Sequence, residues 1–117
     1  MTLEASLFVS PTVHERKIQL GDGAEHTMHF REIPSGAFRR FQLAETSEDL
    51  ETRITAPAVL IAAGLCEPDG SDAITVEKAA TLKPTVSRAI VAAILEVNGF
   101  TGKKGLPSAE TTGSATS

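Results

Sequence analysis

The stretch TVSRAIVAAILEVN, residues 85–98, is apolar around most of a helical circumference. Val86, Ile90, Ala93, Ile94 and Val97 share one face at helical spacing, and Val91 and Leu95 widen it. Ser87, Arg88 and Glu96 are the clearly polar residues in its middle. A helix this broadly apolar has to be covered, either by the chain's own core or by a partner. Pro84 opens it, where a missing N–H costs nothing. Asn98-Gly99-Phe100 closes it: Gly99 suits a left-handed cap, and Phe100 can fold back on Leu95.

The segments before it offer some of that cover, but a face this broad exceeds what one small domain easily covers, so self-association or client contact through helices is expected. Residues 13–33 read as a β-hairpin, VHERKIQL and EHTMHFREI flanking Gly21-Asp22-Gly23-Ala24. A two-residue turn at Asp22-Gly23 would put Ile18 and Leu20 on the opposite face from Met28 and Phe30. A one-residue slip reverses every side chain. An odd loop of about three or five residues unites those four on one face, with Gly23 taking positive φ. Glu15, Lys17, Gln19, Thr27, His29 and Arg31 then form a solvated face. Pro34 ends the second strand, and Ser35 is placed to cap a helix. In GAFRRFQLA, Phe38 and Phe41 lie on one stripe, while Arg39 and Arg40 project away from it.

Thr46-Ser47-Glu48-Asp49 reads as a second helix start, a hydroxyl cap followed by acids in the first turn. Leu50, Ile54, Ala58, Ile61 and Leu65 continue it on one face, so residues 35–66 are expected to be helical. Pro57 lies inside that pattern and either kinks one helix or starts another. EPDGSDAI, residues 67–74, is a loop, and Thr75 begins a short helix, VEKAATL. The expected fold is α+β and mainly helical: an N-terminal hairpin followed by about four helices in a single domain, 1–100. Residues 101–117 have Leu106 as their sole large apolar residue and are expected to form a disordered tail.

Composition removes several function classes. The chain has 117 residues, one Cys and a net charge of −4, with five Phe, no Trp and no Tyr. One Cys builds no internal disulfide and fits a reducing compartment. The acidic balance, and Phe as the one aromatic type available to stack bases, argue against nucleic acid as a partner. No apolar run approaches the ~18 residues of a membrane helix, and the N-terminus lacks the early Lys or Arg of a signal peptide. A protein of the cytoplasm, with no membrane partner, is expected.

The chemistry-bearing residues do not assemble into a site. His26 and His29 have metal-like spacing, but on a strand they point to opposite faces, and no Cys or carboxylate cluster completes a ligand set. His14 is the third His. Cys66 is expected at a helix C-terminus, where the dipole disfavours a thiolate. Glu48, Asp49 and Glu51 suit a helix's first turn better than acid–base work. Gly102-Lys103-Lys104-Gly105 lacks the strand and helix of a phosphate-binding loop. No catalytic, cofactor-binding or metal residues are assigned, and no cofactor is expected. Binding is left as the function class, with Phe38, Phe41 and Phe100 as rigid anchors and Arg39-Arg40, near Arg31, as a basic pair for an acidic partner or a phosphate.

The order FREIPSGAFRRFQ, LIAAGLCEPDGS, LKPTVSRAIVAAILEVNGF and a small-residue tail resembles the tail assembly chaperones of long-tailed bacteriophages, over residues 13–100. Members of that family carry a Leu-Ala-rich helix ending in a DxDG turn, matched by Leu60 to Gly70, and a last helix ending in NGL or NGF, matched by Pro84 to Phe100. The resemblance implies a non-enzymatic chaperone, active in the host cytoplasm and absent from the mature virion. It implies binding to the tape measure protein, promotion of polymerisation by the major tail tube protein, and self-association. A frameshifted longer form, through the Lys103-Lys104 codons, would also fit. The alternative is a small structural adaptor of the phage tail or head-tail connector.

Overall fold

A computed structural model describes residues 2–21 and 23–100. These form a three-stranded sheet beside four helices, α+β and mainly helical as the sequence predicts. The elements are β1 (Val13–Gln19), β2 (Glu25–Arg31), α1 (Ser35–Glu45), α2 (Leu50–Gly64), β3 (Leu65–Cys66), α3 (Val76–Ala79) and α4 (Pro84–Val97). A short 3₁₀ turn, Ala5–Leu7, precedes them. The expectations for the tail and for Gly102 to Gly105 lie outside the described residues.

The hairpin takes the odd-loop register. Ile18 pairs with His26, Arg16 with Met28 and His14 with Phe30. The Leu20 N–H donates to the Ala24 carbonyl and the Gly23 N–H to that of Leu20, and Gly23 has φ 81°. This register puts Ile18, Met28 and Phe30 on the face that meets the helices. Fully burying a ring such as that of Phe30 contributes roughly 2–3 kcal/mol, which outweighs any turn preference.

A third strand, not expected from the sequence, follows α2. Leu65 leaves the helix with φ −84° and ψ 133°, and β3 pairs antiparallel with β2. The sheet order is β1-β2-β3. Helical periodicity carries through Leu65, so the pattern alone extends the helix too far. The open edge of β2 competes for those backbone groups and takes them.

Helix α2 runs unbroken through Pro57. Its cap is Asp49, whose carboxylate accepts from the Thr52 N–H at 2.9 Å, instead of a hydroxyl of Thr46 or Ser47. Ser35 likewise does not cap α1. Pro34 holds the N-cap position with no side-chain bond, and Ser35 is the first helical residue. Thr75 caps α3, and Pro84 is the first residue of α4.

Helix α4 is the centre of the core. Ile90 and Ile94 are fully buried, packed with Leu60 and Ile61 of α2 and with Phe30. Gly64 lets α2 and α4 approach closely, since a Cβ there would lie 2.8 Å from Ile94 Cγ2. The Gly99 N–H donates to the Glu96 carbonyl and the Phe100 N–H to that of Leu95, with Gly99 at φ 81°. This is the expected helix stop. Asn98 ties it to the link between β2 and α1: its Oδ1 accepts from the Ile33 N–H, and its Nδ2 donates to the Ile94 carbonyl.

Candidate interaction surface

The three aromatic residues singled out from the sequence meet in space. Phe38 and Phe41 lie one turn apart on α1, with ring centroids 5.9 Å apart. The stop after α4 swings Phe100 onto Phe38, stacked at 4.3 Å and 8°. Their exposures differ. Phe41 belongs to the core, Phe38 is half-buried and Phe100 is 47% exposed. Anything approaching this surface therefore reaches Phe100 and the edge of Phe38 first. Arg39 and Arg40 are exposed on the same helix and form no ion pair among the described residues.

Beyond the stack, α1 and α4 both pack on α2 but leave a cleft between them. Its volume is about 300 Å³. Phe41 and Glu45 line it from α1, Pro84, Ser87, Arg88 and Val91 from α4, and Pro57 from α2. Val91 comes from the widened apolar face of α4, so part of that face stays uncovered. Leu50 and Ile54 share the Pro57 face of α2 by helical spacing and are 58% and 60% exposed. The predicted α2 stripe is thus buried only in its second half, at Ala58 and Ile61.

Arg31 is the residue that sequence reading misplaced. Instead of lying on a solvated face, it is half-buried against the end of α2. Its Nε donates to the Ala63 carbonyl at 2.8 Å, Nη1 to that of Gly70 at 2.9 Å, and Nη2 to that of Ala62 at 3.3 Å and to Asp72 Oδ1 at 2.6 Å. Helix α2 has no basic residue in its last turn, so a strand residue satisfies its terminal carbonyls. That deficit was legible in the sequence. The partner that fills it was not, because it lies more than thirty positions away. Arg31 is therefore already engaged and does not join Arg39 and Arg40.

Cys66, Asp49, Asp69 and the three His are built into the strands, the α2 cap and the loop after β3. Cys66 lies in β3, not at a helix end, and burial pushes its thiol up, opposed by nearby Arg31. Asp49 is held below the usual carboxylate range by the Thr52 hydroxyl and then by the Thr52 amide. Asp69 is held down by the Ser71 hydroxyl and amide in the same way. The register puts His26 and His29 on opposite faces of β2, with His29 4.0 Å from Glu15. His14 Nε2 lies 3.7 Å from Glu32, whose other oxygen accepts from the Ser10 N–H. Among the described residues, no three of His, Cys, Asp and Glu gather as a metal site would require. No helix among them is long and apolar enough to cross a membrane.

Comparison with known proteins bears on the fold. No protein-family model matches the sequence, and no curated protein matches it. Among solved structures, the tail assembly chaperone of bacteriophage HK97 is similar, with a TM-score of 0.52 and 18% sequence identity. The similarity covers 72% of this chain and 84% of that one. It is a likeness of fold, between this chain and a member of the family that the motif order resembles.

Proposed function

We propose that this chain is a tail assembly chaperone of a long-tailed bacteriophage. It binds the tape measure protein, keeps that long helical client soluble, and promotes polymerisation of the major tail tube protein around it. The observation that carries this reading is the shared fold, reached independently of the motif order that suggested the same family. The surface supports it physically. A chaperone for a helical client needs apolar area that its own core leaves open, and Leu50, Ile54 and Phe100 provide it. The net charge of −4 keeps such a surface in solution. Binding is the activity.

On this reading the chain works in the host cytoplasm, self-associates, and leaves before the virion is complete. Phe38, Arg39, Arg40, Phe41 and Phe100 are the proposed partner-binding set, with Phe41 supporting from beneath. The test is co-expression with the tape measure protein of the same phage, followed by pull-down and sizing. A soluble complex that forms only with this chain is expected. A tape measure protein that stays insoluble, or is equally soluble alone, overturns the reading.

A further inference from the structure

We propose that the α1–α4 cleft seats one amphipathic helix of a partner protein, and that Glu45 and Arg88 on its opposite walls fix the direction in which that helix lies. The inference deepens the chaperone reading by naming the seat and chemistry of the client segment. Size selects the guest. A cavity of about 150 Å³ holds one benzene-sized group, so 300 Å³ takes about two large apolar side chains. One helix presents that number at positions i and i+3 or i+4. The cleft floor is apolar, formed by Phe41, Pro57 and Val91, so the guest's apolar stripe faces inward.

Charge then selects orientation. Glu45 on α1 and Arg88 on α4 are both exposed, and neither forms an ion pair among the described residues. A guest lying between them meets an acid along one flank and a base along the other. The complementary helix carries Lys or Arg on its Glu45 side and Asp or Glu on its Arg88 side. Turning such a helix end for end keeps its stripe down but exchanges its flanks. Both charges then face their like, so only one direction is favoured.

The probe is a synthetic helical peptide with a Leu stripe, Lys on one flank, Glu on the other, and a nitroxide at its N-terminus. It is titrated into the isotope-labelled full chain. Chemical-shift changes are expected at Phe41, Ser87 and Val91, with broadening at one end of the cleft. Arg88→Glu, an exposed change that leaves the circular dichroism unaltered, is expected to weaken binding by about threefold or more. The double change Glu45→Arg with Arg88→Glu should move the broadening to the opposite end. No binding, shifts centred elsewhere, or affinity indifferent to these changes overturns the proposal. So does a change in the oligomeric state of the double variant alone, which would make a second copy the occupant. The same variants separate this inference from the chaperone reading. A tape measure protein retained equally by wild type and variants removes the cleft and leaves the chaperone. A peptide that seats in the cleft while the tape measure protein is ignored keeps the cleft and removes the chaperone.

Discussion

Three residues show how single positions set stability here. Gly64 sits against fully buried Ile94, where an added methyl has no room. Gly64→Ala is expected to destabilise by roughly 1–3 kcal/mol in chemical denaturation. Combined with Ile94→Ala, it should cost less than the two single changes summed, because the second change removes the clashing atoms. Arg31→Met leaves the carbonyls of Ala62, Ala63 and Gly70 without their donor, and a loss of roughly 2–3 kcal/mol is expected. Arg31→Lys should restore only part of this, since the three donors of an ammonium sit on one nitrogen and do not span carbonyls that three separate guanidinium nitrogens reach. Asp49 sets a pH dependence. Its folded-state pKa lies below the ordinary value of 3.8, so its contribution is present above that value and fades as pH falls through the lowered one. The melting temperature of wild type should therefore fall more steeply below about pH 4 than that of Asp49→Asn. Equal slopes would assign the acid sensitivity to other carboxylates.

At the scale of elements, α2 combines two demands. Its second half supplies Ala58, Leu60, Ile61 and Gly64 to the core; its first half carries exposed Leu50 and Ile54. Pro57 sits at the junction and removes the bond that its N–H would make to the Arg53 carbonyl. Pro57→Ala restores the donor, at the cost of a freer unfolded chain. A net gain of about 1–2 kcal/mol is expected, read as a higher denaturation midpoint. A loss would mean that the ring's packing in the cleft outweighs the missing bond. Helix α4 illustrates the opposite economy. Its apolar face is broad because three surroundings use it: the sheet, α2 and the cleft. Its end was legible in Asn98-Gly99-Phe100, since a stop motif is local, but the stack of Phe100 on Phe38 is not local and required the fold.

For the whole molecule, assembly and departure can be read in composition. If the chain leaves the tail once the tube is built, mass spectrometry of purified particles should find the tape measure and tube proteins without it. Stoichiometric presence in particles would favour a structural adaptor. The amino-acid sequence by itself determined the α+β class, the hairpin register, the position of α4 and its stop, and the order of motifs that matches the fold family. All of these rest on interactions within a few residues, or on a periodicity that one face must satisfy. The tertiary structure alone decided four things. Leu65 and Cys66 leave the helix for the sheet, because an open strand edge outbids one more helical turn. Arg31 turns inward, because helix carbonyls with no donor of their own lie within its reach. Phe41 goes to the core while Phe100 stays at the surface. Glu45 and Arg88 come to line one cleft. Each depends on distant segments arriving at the same place, and no spacing along the chain encodes that meeting.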